Sequence, residues 1–210
     1  MARRLPEQFK HTLFGLVNRP YVTRRLSRAR RPLIVHISDT PRVSYPFIYR
    51  IMRVLEPDYL IHTGDVVDDI KLEIRPQELG AYKRELAAFL SRLEQTPVGG
   101  IFFVPGNHDD GSALGELGRR SLIVSERTVL RLAGLSISVS HKYQDDVDAA
   151  DFYLYGHTPL PDHHRRGRTV CLNGVSTITV IEAPSKRLHL LPYPAGTDSV
   201  RKLLLPKPGL

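Results

Sequence analysis

The sequence predicts an α/β fold in which mixed β-sheets pack face to face with helices outside. From residue 33 apolar strand-like runs alternate with helix-like stretches, and after residue 125 short strand-like runs follow one another. Charge then marks where this body begins. The chain has 210 residues with 30 Lys plus Arg against 22 Asp plus Glu, a formal net charge of +8. Residues 1–32 hold nine of the bases (Arg3, Arg4, Lys10, Arg19, Arg24, Arg25, Arg28, Arg30, Arg31) and one acid, Glu7, so 21 bases and 21 acids remain for residues 33–210. A neutral body follows a basic extension.

The elements can be taken in order. Within the extension, Leu5, Phe9, Leu13 and Val17 recur at helical spacing and predict a short amphipathic helix ending near Pro20. Leu33–Ser38 is apolar and β-branched, the pattern of a buried strand. Phe47, Ile48, Ile51 and Leu55 share one face of a helix over 44–55, and residues 58–63 read as a second strand. Leu79, Tyr82, Leu86, Phe89, Leu90 and Leu93 form the apolar stripe of a second helix, and 100–104 forms a third strand. Residues 128–132 and 135–140 flank Ala133-Gly134 as a hairpin, with further strands at 152–155, 169–173, 176–182 and 187–191. The expected organisation is a basic extension (1–32), one domain (33–192) and a tail (193–210) whose last six residues are non-helical.

Composition excludes several classes. Hydrophobic and charged fractions of 41 % and 25 % are ordinary for a globular domain. No apolar run approaches the roughly 18–20 residues that span a bilayer. The single cysteine, Cys171, rules out an internal disulfide and any multi-cysteine zinc site. Its alternating apolar surroundings predict a buried residue, and a reducing, cytoplasmic compartment is expected.

The chemistry-bearing residues fall where the predicted strands end. Asp39 follows the first, in HISDTP; Asp65 follows the second, in HTGDVVDD; Asn107, His108 and Asp109 follow the third, in PGNHDD; His141 ends the hairpin, and His157 follows a later strand in YGHTPLP. Polar groups at successive strand exits converge on one edge of an α/β sheet, where ligands bind. Carboxylate, amide and imidazole together suit Mn²⁺, Fe²⁺ or Zn²⁺.

This ordered series resembles the calcineurin-like metallophosphoesterase superfamily, whose pattern is DxH, GDxxD, GNHD or GNHE, a lone His, then GHxH. It spans about residues 33–192 and resembles the small bacterial phosphodiesterases of the superfamily. The resemblance implies a four-layer α/β/β/α sandwich of two mixed β-sheets flanked by helices, with a two-metal site at its edge. It further implies that Asp65 bridges the metals and that Asn107, His141 and His157 bind the second. His108 would contact the phosphate and help the leaving oxygen depart, with Asp109 orienting it.

The first metal site departs from the family pattern. DxH reads Asp39-Thr40-Pro41, and GHxH reads Gly156-His157-Thr158-Pro159, so prolines replace both expected imidazoles. Asp39 and Asp65 remain for a weak or absent site, and Asp39 would then hold a second metal weakly or position the attacking water. His36 and His62 stand an odd number of positions from Asp39 and Asp65 and would face the other way. His163 and His164, in an HHRR run that reads as a solvated loop, are the residues that could reach back.

The resulting expectation is a phosphoesterase acting on a phosphodiester or phosphomonoester through a metal-activated water, on a small or accessible substrate. The competing expectation is a phosphoesterase fold that serves as a binding or scaffold module. The clustered arginines of residues 1–32 would suit an anionic partner, nucleic acid or a membrane surface, which allows peripheral membrane contact.

Overall fold

A computed structural model of the chain describes residues 19–201 together with Phe14. The helix predicted over residues 5–17, Phe14 apart, and the last residues of the tail lie outside the described residues.

The first half alternates as predicted: β1 (Leu33–Ile37), α1 (Tyr45–Leu55), β2 (Tyr59–His62), α2 (Leu79–Leu93) and β3 (Gly100–Phe103). Next come α3 (Gly111–Leu117), β4 (Ser121–Ile123), β5 (Thr128–Leu132), β6 (Leu135–Val139) and β7 (Phe152–Tyr155). The last elements are β8 (His164–Arg166), β9 (Thr169–Asn173), β10 (Ile178–Glu182), β11 (Arg187–Leu191) and α4 (Thr197–Arg201). They form two mixed sheets, ordered β11-β10-β1-β2-β3-β4 and β5-β6-β7-β9-β8, flanked by helices. β1, β2, β3 and β4 run parallel, as do β6, β7 and β9.

Every residue of β1 is buried because this strand is covered on both faces. Leu33, Val35 and Ile37 pack beneath the helices with Phe47, Ile51, Leu86 and Phe89, while Ile34 and Ile61 meet Ile137, Val139, Phe152 and Leu154 of the second sheet. Pro46 opens α1, and Glu56 ends it in the left-handed conformation with φ 45°, just before Pro57. The outer face of the second sheet carries a smaller cluster of Tyr153, Tyr155 and Cys171, under Tyr143 and Val147. Cys171 is buried.

Four short elements escaped the sequence reading. β4 is three residues at a sheet edge, with Leu122 exposed. α3 contains two glycines and owes its start to Asp110, whose carboxylate accepts from the Ala113 N–H at 2.6 Å. The HHRR run is no solvated loop: His164–Arg166 forms edge strand β8 against β9, a charged edge that resists further strand addition. α4 is one turn long, too short for periodicity to show. The basic segment that precedes β1 is partly fastened to the body. Leu26 enters the helix-side core, and the Arg31 guanidinium donates to the Glu56 carbonyl and pairs with Asp58 at 3.2 Å.

At the far end of β10, the buried Glu182 carboxylate accepts from His189 Nε2 at 2.7 Å and Ser185 Oγ at 2.9 Å, and pairs with Arg187 at 3.7 Å. Burial raises this carboxyl, but the hydrogen bonds from His189, Ser185 and the Arg30 N–H lower it more, leaving it below its ordinary value of 4.5. A depressed carboxylate stabilises the fold fully above its unfolded value, and that contribution vanishes as pH falls through the folded one. Glu182→Gln should therefore cost about 2 kcal/mol at neutral pH. The difference from wild type should shrink as pH is lowered below 4.5, which urea unfolding across that range would measure.

Candidate metal centre

Parallel strands deliver their C-terminal ends to one edge, and the exit loops of β1 and β2 continue side by side beyond the sheet. The Asp39 N–H donates to the Gly64 carbonyl and the Thr40 N–H to the Asp65 carbonyl, each at 2.9 Å. The Thr40 hydroxyl donates to the Val66 carbonyl at 2.9 Å and accepts from His62 Nε2 at 2.8 Å. Asp39, Asp65 and His157 occupy left-handed backbone at φ 51°, 54° and 71°. Such conformations disfavour side-chain-bearing residues and persist where surrounding structure enforces them. Two glycines make the crowding feasible. A Cβ on Gly64, itself at φ +101°, would lie 2.4 Å from His141 Nδ1, and one on Gly156 would lie 1.9 Å from Ser38 Oγ.

One carboxylate ties these loops together. Asp109 accepts from the Asp65 N–H at 2.7 Å, the Val66 N–H at 2.9 Å, the Gly106 N–H at 2.8 Å and the Tyr82 hydroxyl at 2.9 Å. Burial raises the Asp109 carboxyl, and these donors pull against it. The expectation that Asp109 orients His108 thus meets a different arrangement, with both oxygens engaged by backbone of the β2 and β3 exits and by α2.

Asp65, Asn107, His141 and His157 come together on this scaffold. His141 Nδ1 lies 2.7 Å from the Thr63 carbonyl, which can only accept, so Nδ1 carries a proton and Nε2 is the ring atom turned toward the other side chains. The Asn107 amide nitrogen donates to Glu73 at 2.6 Å, which turns Oδ1 toward His141 Nε2 at 2.9 Å. His157 Nδ1 is 3.2 Å and an Asp65 oxygen 3.6 Å from the same Nε2. Two ring nitrogens and two side-chain oxygens therefore converge at contact distance. A proton on His157 Nδ1 satisfies one of these contacts; a divalent cation satisfies all of them, and the O₂N₂ donor set suits a transition metal. Asp65, His141 and His157 offer ligand atoms within 4.8 Å of one another.

The first site is different in kind. Asp39, Asp65 and Asp68 form a second group within 4.8 Å, all buried and all carboxylate. Asp68 adds a third acid to the two the sequence reading retained there. Burial raises Asp65, with Asp39 and Asp109 adding to the effect. Burial also raises Asp68, to about 7, against the pull of Lys71, whose ammonium contacts its carboxylate. Among the described residues no imidazole joins this group. His163 accepts from the Asn173 N–H at 3.0 Å and meets Thr177 Oγ1 at 2.9 Å, while His164 meets the Asp162 carbonyl at 2.8 Å and Tyr143 at 3.3 Å. His36 and His62 pair with Thr63 and Thr40, and burial lowers both imidazoles, His36 to about 3. The donors present do not fit the imidazole-containing first site of the family pattern.

His108 borders both groups. Its N–H donates to Asp65 Oδ1 at 3.0 Å, and its ring lies 3.9 Å from the Glu73 carboxylate. Burial and then the charge of Lys71 lower His108 to about 4, while Glu73 acts in the opposite direction. Behind Asp39, Arg201 of α4 donates to the Asp39 carbonyl at 2.6 Å, the Ser38 carbonyl at 3.0 Å and the Val175 carbonyl at 2.8 Å, with its guanidinium 4.0 Å over the Tyr193 ring. Asp68, Lys71, Glu73 and Arg201 were not singled out from the sequence. The second Asp of the GDxxD run was the available signal for Asp68; nothing comparable marked the others.

Residues 32–191 match the family described as calcineurin-like phosphoesterase. No curated protein matches the chain. Among solved structures it is similar to an archaeal phosphodiesterase, with a TM-score of 0.55 at 16 % identity over 76 % of this chain and 99 % of that one. It is also similar to Yfce, a phosphoesterase from E. coli, with a TM-score of 0.50 at 16 % identity over 77 % and 99 % of the two chains. At such identities the likeness is one of fold.

The hydrogen bonds of Asp109 make a mutational prediction. Asp109→Ala should destabilise the protein by about 3 kcal/mol or more, since buried donors lose a charged acceptor. His108→Ala, measured alongside by urea unfolding, should cost about 1 kcal/mol or less, typical of a site without such a network. Equal losses for the two variants would contradict the clamp assigned to Asp109.

Proposed function

The chain belongs to the calcineurin-like phosphoesterase family, and we propose that it is a metal-dependent phosphoesterase with one tight divalent ion, Mn²⁺ in the first instance. The observation that carries this reading is the convergence of the possible ligand atoms of Asn107, His141, His157 and Asp65. When bound, a divalent ion supplies a lowered pKa for a coordinated water and polarises a phosphoryl oxygen.

The protein's own residues do the rest. The Thr63 carbonyl holds His141 in the tautomer that presents Nε2, and Glu73 holds Asn107 with its oxygen inward. Asp39, whose carboxylate is fixed by Ser38 Oγ at 2.6 Å and the His157 N–H at 3.0 Å, positions the attacking water. His108 is neutral near pH 7 and donates an imidazole N–H to the phosphoryl or leaving oxygen. A cleft of 270 Å³ beside Asn107, walled by Leu72, Glu73, Pro76 and Leu79, suits the organic part of a small phosphoester. The exposed Arg24, Arg25, Arg28 and Arg30 offer an anionic partner a separate surface.

Pro41 and Pro159 favour one further reading, a metal-binding module that does not turn over. Hydrolysis of bis(p-nitrophenyl) phosphate and p-nitrophenyl phosphate with Mn²⁺ separates the two. Wild type should hydrolyse at least one of them, and His141→Ala should lose both bound Mn²⁺ and rate, by about 100-fold. Wild-type turnover no faster than that of His141→Ala at saturating Mn²⁺ would leave the binding module as the better account. No described helix is long and apolar enough to cross a membrane.

A further inference from the structure

The three carboxylates of the first group are buried within 4.8 Å of one another, and buried charges of one sign require compensation. The two imidazoles that would help hold a metal there are prolines, yet two protein cations border the group. Arg201 lies behind it. Its side chain is 1 % exposed, and its donors are engaged by backbone carbonyls and Asp198, so it supports the Asp39 loop and cannot reach a substrate.

Lys71 is placed differently. Its side chain is 22 % exposed, with the ammonium on Asp68. Its neighbours Ile70 and Leu72 pack against the helix-side core, and its carbonyl accepts from the N–H groups of Ile74 and Arg75 at 3.0 and 2.8 Å, which holds the loop in place. The same loop supplies Glu73, bonded to Asn107, so Lys71 is held in register with the metal ligands. Its charge also reaches His108. An ammonium has three N–H donors and binds phosphate as a point charge.

We propose that Lys71 takes the place of the first metal: held by Asp68 beside Asp39 and Asp65, its ammonium binds a phosphoryl oxygen of the substrate, while the second ligand set holds the single tight ion. This inference rests on the phosphoesterase reading above. Its test is arranged so that the two can fail separately.

The full chain, with Lys71→Met and Lys71→Arg variants, is loaded with Mn²⁺. Bound metal is counted after equilibrium dialysis, and inorganic phosphate affinity is measured by calorimetry. Wild type and Lys71→Arg should bind one Mn²⁺ tightly. Lys71→Met should gain a second, weaker Mn²⁺ on the uncompensated carboxylates and bind phosphate at least about 10-fold more weakly at one equivalent of metal. Its kcat/KM for bis(p-nitrophenyl) phosphate should fall about 100-fold at that loading and recover partly in excess Mn²⁺. Lys71→Gln serves if Lys71→Met does not fold. Two tight ions in wild type would overturn the proposal, as would one ion and unchanged phosphate affinity in Lys71→Met. If no form hydrolyses a phosphoester, the phosphoesterase reading falls, and metal count and phosphate affinity still decide the role of Lys71.

Discussion

The arrangement of the centre depends on one buried carboxylate. Asp109 receives the N–H groups of Asp65, Val66 and Gly106 and the hydroxyl of Tyr82, so a single side chain joins the β2 exit, the β3 exit and α2. Strand exits are loops, and loops on their own hold side chains poorly to a common point. A charged acceptor shared by three backbone donors removes that freedom where ligand atoms must meet. Tyr82 carries the constraint into the helix-side core, where it packs fully buried with Leu86 and Phe89. Helix packing and site geometry are therefore one mechanical unit.

That unit stores unfavourable terms. Three site residues sit in left-handed backbone, which costs of order 1–3 kcal/mol each. Three buried carboxylates have oxygens within 4.8 Å of one another, and burial drives Asp65 and Asp68 toward their neutral forms. The ladder between the 39–40 and 64–66 segments, the Thr40–His62 pair and the Asp109 clamp over-determine the loops and keep them from relaxing. The result is a set of polar groups fixed in place, the condition under which electrostatic stabilisation needs no reorganisation.

Much of this was legible in the sequence. Periodicity located the long helices and the buried strands because core burial imposes it, and the strand-end polar residues lie together because parallel strands share an exit edge. What was not legible has equally physical causes. Adjacency suggested that Asp109 serves His108, yet the turn after β3 returns the Asp109 carboxylate to the backbone of Gly106 and to the β2 exit. Lys71 and Glu73 lie in a stretch without period-2 or period-3.6 pattern, and their place is set by Ile70 and Leu72 anchoring the loop. Arg201 belongs to a single helical turn far along the chain, and only the fold brings it 162 positions back to Asp39.

The prolines are the reason the two ligand groups differ. Pro41 adopts φ −74° and ψ 157° and opens the turn over Arg42–Ser44, its carbonyl accepting from both the Ser44 N–H at 2.9 Å and Ser44 Oγ at 2.7 Å. It is built into the loop as a structural element. Pro159 follows Thr158, whose carbonyl is held by the Asn173 amide at 2.8 Å. Replacing a ligand by a residue that stiffens its loop sacrifices coordination while keeping the neighbouring positions, Asp39 and His157, fixed. A protein cation can then supply charge where a metal would have needed those imidazoles. The neutral body conceals this arrangement, because the charge of three clustered acids, only partly offset by Lys71 and Arg201, is averaged over the whole of residues 33–210.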